Sequence, residues 1–407
     1  VQAKIDFELP LTYTGNPSLD KAVMADLLEA DIPLIVREVV EYRQLISSSS
    51  VAKFRTMLER ADPEDHRVRG SFIAAGAPTS GRFSARGLQL HNYPRDCNDD
   101  PEAVRSEFIE GRKVDNVLPT LAGMLRPSLI GDQLVWGDWS GIEARALPWL
   151  VMDPRADAVL DIFRECDDDP SAPDVYQRQA ATFGGSRQEG KVAVLSLGYG
   201  GGVGAFQAMA RGYGVIIEDY KADQIKKAWR RSNPWATSFW NNLHMAAVKA
   251  IKNPGEWFQV GRVAYCFDSD VMGGTLYCAL PSGRLITYPK TECKLKANQY
   301  GEQEEITSLK ASRKPKADAN YWPRFNLWPG LLAENVTQAT CADLLRDTMV
   351  VCEDEGLVVV GHVHDEIIIE GKETDQLALQ QIMEQGPSWS EGLPLVAETK
   401  YGNRYNK

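Results

Sequence analysis

Apolar residues recur along this chain at two periods, and the periods change in blocks. Helical spacing runs from Asp20 to Leu28 and from Leu34 to Leu58, with a break at Ser47 to Ser50. Residues 69–94 read as extended and turn-rich, and helical spacing returns from Asp174 to about Ile251. Between 256 and 288 the pattern alternates through Trp257, Val260, Val263 and Tyr265, and Pro281, Ser282 and Gly283 signal a turn. The polar stretch from Lys290 to Asn320 predicts a long surface loop or insertion. A helix over about Leu331 to Cys352 leads into the last apolar run.

That run breaks in an informative way. Leu357 to Val360 passes through Gly361 and His362 to Val363, then His364, Asp365 and Glu366 interrupt before Ile367 to Ile369. In a core, a bare carboxylate costs several kcal/mol unless it is paired or binds metal. Two readings stand: a hairpin turn whose charges face water, or a cation site. A second short apolar strand, Leu134 to Gly137, runs straight into Asp138. Helical spacing follows, with Ile142, Ala146 and Trp149 or Leu150 on one face and Glu143 and Arg145 on the first turns. Asp138 therefore stands at a strand-to-helix turn, where an Asp serves as a helix cap or as a metal ligand. Paired with Asp365 it makes half of a two-carboxylate magnesium site.

Composition bounds the rest. The 407 residues exceed one ordinary domain, and 43% hydrophobic content supports a sizeable core. Seven cysteines without a C-x-x-C pair predict reduced thiols in a cytosolic setting, and no apolar run is long enough to span a membrane. There is no signal peptide and the chain starts at Val1, which predicts a trimmed or processed fragment. The net charge of −11 argues weakly against a nucleic-acid binder. Bases nevertheless cluster from Lys221 to Arg231 and from Lys290 to Lys316, and only the local field meets a phosphate.

The segment 186–205 forks. Lys191 to Ala205 can be a strand entering a G-x-G-x-x-A turn, with Glu218 and Asp219 at the spacing of a ribose acid, which describes a dinucleotide-binding oxidoreductase. Ser186 and Glu189 instead form a capping box that opens a helix. On that helix Arg187, Lys191, Leu195 and Tyr199 recur every four residues over about 18 Å, the order of length of a nucleoside triphosphate. Arg187 and Lys191 lie near the N-terminus, where the dipole favours phosphate. Only the helix reading uses Asp138 and Asp365 as well.

Together these residues resemble the family A (Pol I-like) DNA polymerases, in the form found in bacteriophages and prophages. Asp138-Trp-Ser-Gly-Ile-Glu143-Ala-Arg145, Arg187-x3-Lys191-x7-Tyr199-Gly200 and His364-Asp365-Glu366 look like the three signature motifs, in order. Thr79 to Ser84 with Leu88 to Pro94, and Glu334-Asn335-x2-Gln338 with Asp343 to Leu345, resemble two further stretches that meet the primer–template. Leu280 to Arg284 resembles a hairpin of the phage enzymes. The resemblance spans nearly the whole chain.

It implies an α+β, right-hand polymerase fold with an antiparallel palm sheet, helical fingers and a partial helical thumb. Residues 1–70 would be thumb, 71–150 the first part of the palm, 151–255 fingers, and 256–407 the second part of the palm with an insertion around 290–325. The implied activity is template-directed addition of dNTPs to a primer 3′-hydroxyl. Asp138 and Asp365 would hold two Mg²⁺ ions, with Mn²⁺ able to substitute. Glu366, which strand alternation turns away from Asp365, would be an occasional ligand. Arg187 and Lys191 would grip the triphosphate, with Lys191 as proton donor to pyrophosphate. Tyr199 would stack near the templating position, and Trp139, Leu195 and Glu143 would line the nucleotide site, with Glu143 crowding a ribose 2′-hydroxyl. Arg82, Gln89, Asn92, Gln338, His364 and Arg145 would contact DNA. Primer–template and dNTPs are the implied partners of a monomer, with no membrane and with any processivity factor unidentified, in the cytoplasm of a bacterial host.

The chain departs from the family at several points. Leu195 stands where Phe or Tyr is usual, which predicts weaker nucleotide binding and altered acceptance of dideoxynucleotides. Trp139 replaces a common Tyr, and Gly141 replaces a polar side chain. Gly190 and Gly198 each lower helix propensity by about 1 kcal/mol relative to Ala, which fits either a moving element or close packing. No second set of acids has exonuclease spacing, so no proofreading is expected. A polymerase-like DNA-binding protein without activity and a phage-type RNA polymerase are the neighbouring alternatives; the retained acids argue against the first and Glu143 against the second.

Overall fold

Local capping chemistry sets where the central helices begin. Asp174 with Gln177, and Ser186 with Glu189, form reciprocal capping boxes at the starts of the Val175–Ala181 and Arg187–Leu197 helices. Asp100 and Asp153 cap the Pro101–Ile109 and Pro154–Asp168 helices, each with proline at the first helical position. Residues 191–197 are therefore helical, and the strand that a dinucleotide-binding turn needs is absent there. The helix stops at Leu197 with Gly198 as C-cap, so Tyr199 lies beyond its end and not on its stripe.

The structure, a computed structural model, describes residues 30–46, 49–298, 301–309 and 322–406, with a few isolated residues before 30. Most of the helical block expected over Asp20 to Leu28 lies outside the described residues. The chain divides into two units: Val1–Ser71, Arg86–Ile130 and Arg404–Lys407, and Phe72–Ala85 with Gly131–Asn403. In the first unit, the helical spacing over Leu34 to Leu58, broken near Ser47, corresponds to the helices Leu34–Ile46 and Ser49–Arg60. Val36 and Val40 pack there with Met24 and Leu27 in a small core.

Among the described residues the strands form four sheets. Strands β1 (Phe72–Ile73) and β2 (Ser84–Ala85) make a short antiparallel pair. Strand β3 (Ile130–Trp139) lies between β13 (Ala397–Arg404) and β12 (Glu366–Glu370), and β11 (Val358–Val363) closes the order β11-β12-β3-β13. An antiparallel meander runs through β4 (Phe258–Val260), β5 (Val263–Asp268), β6 (Thr275–Ala279) and β7 (Leu285–Pro289). Strands β8 (Glu292–Asn298), β9 (Gly301–Leu309) and β10 (Arg324–Asn326) form the fourth sheet.

This last sheet corrects the loop expected over Lys290 to Asn320. Its polar residues alternate with inward ones: Ile306 and Ser308 are fully buried, while Lys294 pairs in register with Glu305 across β8 and β9. Cross-strand opposite charges and a half-buried face stabilise a strand that composition alone disguises. Residues 299–300 and 310–321 lie outside the described residues.

One large core joins the second unit. The Ile142–Val151 helix is buried at Ile142, Arg145, Ala146, Leu147, Pro148, Trp149 and Leu150, so it is enclosed nearly all round instead of on one stripe. Glu143 and Ala144 are among the few positions left partly open. Full burial of Leu150 contributes about 1.5–3 kcal/mol. The Arg187–Leu197 helix packs on the Val175–Ala181 helix, where a Cβ at Gly190 would stand 2.0 Å from the Tyr176 carbonyl oxygen. Close packing thus accounts for Gly190.

Candidate active site

Strand register assembles the acids. On the antiparallel β3–β12 pair, Asp138 is the Cα partner of Glu366, so the two share one face of the sheet. Val363 pairs with Glu366, which leaves His364 and Asp365 as a two-residue turn, with His364 at φ 54°. The Trp139 amide donates to the Asp365 carbonyl oxygen at 3.2 Å, which ties the turn beside Asp138. Asp138 and Asp365, far apart in sequence, therefore meet. The expected placement of Glu366 needs correcting. Asp365 sits in a turn, so strand alternation does not run through it, and Glu366 faces Asp138 directly with 1% of its surface exposed. Asp138 is not a helix cap either, since β3 continues to Trp139 and Gly141, at φ 60°, occupies the N-cap.

Alternation does remove Trp139 from the nucleotide site. It points to the sheet face opposite Asp138, is 2% exposed, and donates its indole N–H to the Met383 carbonyl at 2.9 Å. Arg145 is likewise removed from DNA contact. Its guanidinium is a bidentate partner of Asp167 at 2.5 and 2.6 Å, donates to the Ser140 carbonyl at 2.8 Å, and lies over the Phe163 ring. With its side chain 3% exposed, it is a core ion pair.

Glu143 is the hub of a second cluster. Arg82 donates to its Oε1 and forms an ion pair with it. The Tyr199 hydroxyl donates to Oε2 at 3.2 Å. Burial, reinforced by the Glu143 charge, holds the Tyr199 hydroxyl well above the usual phenol range. From the Pro329–Asp354 helix, Gln338 donates to Glu334 Oε1 at 3.0 Å. Burial, and then the neighbouring Glu143, raises the Glu334 carboxyl above its ordinary value. The Cys341 thiol is raised by burial, with Glu143 and Asp365 contributing, which links this helix to both groups of acids.

Arg187 and Lys191 carry the positive charge of the Arg187–Leu197 helix. Arg187 holds Asp174 at 2.6 Å and lies over Tyr176, but more than half its side chain is exposed, and such a pair is worth at most about 1 kcal/mol. Lys191 lies over the Tyr213 ring, with its ammonium 5.3 Å from the centroid. Leu195 lines a cavity of about 240 Å³ together with Glu143, Leu147, Pro148, Val159 and Tyr199.

Gln89 and Asn92 belong to the first unit. There Lys53 donates to Gln89 Oε1 at 2.8 Å, and Asn92 is exposed at the end of a 3₁₀ turn. Sequence reasoning gave no role to His362, which packs against Phe72 and Phe83 with ring centroids 4.4 and 4.3 Å away and so anchors the segment that carries Arg82. Nor did it give one to Arg284. The signal for both was faint: single polar residues inside otherwise apolar strand and turn patterns.

The donor set at the sheet is all carboxylate oxygen, with no thiol or imidazole facing Asp138 in register, and that chemistry suits a hard divalent cation. The residues fit the group. Among the described residues no cluster of three or more His, Cys, Asp or Glu has metal-binding geometry by itself. Substrate oxygens and water ordinarily complete such a magnesium shell. Among the described residues no helix is long and apolar enough to cross a membrane.

No protein-family model matches the chain. It is 31% identical over 415 residues to a DNA polymerase of Bacillus phage SP02, covering 96% of this chain and 60% of that protein. Over 156 residues it is 31% identical to DNA polymerase I of Pseudomonas aeruginosa, covering 38% of this chain and 14% of that protein. In structure it resembles the polymerase domain of Pol1 from M. smegmatis, solved in complex with DNA primer–template and dNTP. That match has a TM-score of 0.58 at 17% identity and covers 100% of this chain and 60% of that one. The chain thus spans about 60% of the length of the phage relative and of this structure. In sequence it is similar to these DNA polymerases, and it has the fold of the Pol1 polymerase domain, with mixed helices and antiparallel sheets.

Proposed function

We propose that this chain is a template-directed DNA polymerase that adds dNTPs to a primer 3′-hydroxyl by nucleotidyl transfer, without a proofreading site of its own. The observation that carries the reading is the meeting of Asp138 with the His364-Asp365-Glu366 hairpin across β3 and β12. The phage relative's name and the primer–template and dNTP held by the M. smegmatis domain support it.

Residues 1–70 are assigned to the thumb, 151–255 to the fingers and the segments on either side of the fingers to the palm. DNA polymerases generally use divalent metal ions, and Asp138 and Asp365, with Glu366 beside them, are the residues that would hold Mg²⁺, or Mn²⁺ in its place. Such ions supply activation of the attacking hydroxyl and charge neutralisation at the triphosphate when bound. The chain's own groups do the rest. Arg187 exchanges the weak Asp174 pair, both of whose contacts fall on Oδ2, for a phosphate, which offers more charge and can be held by two oxygens. Lys191 binds the same triphosphate and gives a proton to the departing pyrophosphate oxygen. Tyr199 and Glu143, fixed to each other, wall the sugar pocket against a 2′-hydroxyl. Arg82, Gln338 and His364 serve the primer terminus, where minor-groove acceptors recur at every base pair. To reach them Arg82 would exchange its Glu143 partner for the primer.

Extension of a synthetic primer–template tests the proposal. Template-dictated addition of dNTPs is the expected result; absence of any extension with Mg²⁺ or Mn²⁺ refutes it.

A further inference from the structure

Arg82 needs a rigid base if it is to switch between a carboxylate and a primer terminus, and one guanidinium supplies it from elsewhere in the chain. Arg284, at the end of the turn between β6 and β7, donates from Nε to Asp343 Oδ1 at 2.6 Å. Its Nη2 donates to the Ser80 carbonyl at 2.8 Å and to the Ala339 carbonyl at 3.2 Å. Asp343 has no exposed side-chain surface, and it also accepts from Ser282 and, at 2.9 Å, from Arg346. The guanidinium thus crosses three segments: the Ser80–Arg82 turn, its own turn and the Pro329–Asp354 helix. Gly81 adopts φ 72°, and a Cβ there would stand 2.4 Å from Arg284 Nη1. That turn is shaped around this guanidinium.

We propose that Arg284, seated on Asp343, is the positioning residue for Arg82, and through it for the Glu143–Tyr199 pair. The argument rests on reach. Ser80 holds Arg284 through its carbonyl, while its hydroxyl accepts from the Arg82 amide at 3.4 Å, so the backbone that aims Arg82 is fixed from both sides. An ammonium at position 284 could meet Asp343 or the two carbonyls, but not hold Asp343 through one nitrogen and Ser80 and Ala339 through another, because it lacks the planar fork. The proposal rests on the polymerase reading and adds to it a residue outside the three signature motifs.

A double-mutant cycle tests it. Arg284→Gln and Arg284→Lys are made alone and with Arg82→Ala, and steady-state primer extension is measured as kcat and KM, with thermal midpoints for each protein. The expected result is a loss of about tenfold in kcat/KM for each Arg284 variant alone and little further loss when Arg82 is already Ala. The change in thermal midpoint should be the same in both backgrounds. The Lys variant carries the comparison should the Gln variant fail to fold. An equal fold-loss with and without Arg82, or no loss at all, overturns the proposal. A wild-type chain that extends no primer removes the polymerase reading itself, and the proposal with it.

Discussion

Arg82 and Glu143, 61 positions apart, form an ion pair, and Tyr199 adds a hydrogen bond to the other oxygen of the same carboxylate. One side chain thereby holds both the segment that carries Arg82 and the stretch just past the Arg187–Leu197 helix. Replacing Glu143 with Ala should open the sugar pocket and raise use of ribonucleotides relative to deoxynucleotides by about tenfold or more. The ratio of kcat/KM values for one matched NTP and dNTP measures it. An unchanged ratio removes Glu143 from the gate.

Leu195 offers no flat face to a sugar, and the cavity of about 240 Å³ it lines leaves room for a larger side chain. Leu195→Phe and Leu195→Tyr should therefore fold normally and tighten nucleotide binding. They should also shift discrimination between dideoxy- and deoxynucleotides by about tenfold. Competition between the two nucleotides in single-step extension reads this directly, and equal discrimination in all three proteins contradicts it.

Arg145→Ala should unfold the protein more readily without a specific effect on DNA. Removing the guanidinium leaves Asp167 without its bidentate partner at a partly buried position and takes the lid off Phe163. The loss should be about 3 kcal/mol in urea unfolding. Below the denaturation range, primer–template affinity should match the wild type, and a selective loss of affinity would restore Arg145 to the DNA surface.

Glu334 predicts a pH dependence with a definite sign. Burial and Glu143 raise its folded-state pKa above the unfolded value, so the charged form is disfavoured in the fold. Its cost is fully present above the folded pKa and disappears as pH falls below the unfolded pKa. Glu334→Gln keeps an acceptor for Gln338 and should raise the unfolding midpoint at pH 7. The difference from wild type should shrink on acidification into the carboxylate range. A difference that grows on acidification contradicts the assignment.

What could be read from the sequence followed locality. The Ser186–Glu189 box is a short-range motif, and it separated a helix from a dinucleotide-binding strand. Asp138 and Asp365 were visible because each breaks an apolar run, and a shared magnesium site joined them before the family pattern did. Arg145 was misjudged because its partner, 22 positions away, lies on the next helix, and no local pattern records that meeting. Glu366 was misplaced by carrying strand alternation through a residue that sits in a turn. The β8–β9 hairpin was missed because charged residues on its exposed face outweighed the period of its buried one.

The central claim is that Asp138 and Asp365 serve nucleotidyl transfer on a primer. Primer extension with Mg²⁺ should be carried out on the wild type, Asp138→Asn and Asp365→Asn, each checked for native folding. The account predicts template-directed dNTP addition by the wild type and a loss exceeding about 100-fold in each variant, since each is expected to hold the metal directly. Wild-type-like extension by a folded Asp365→Asn protein would contradict it.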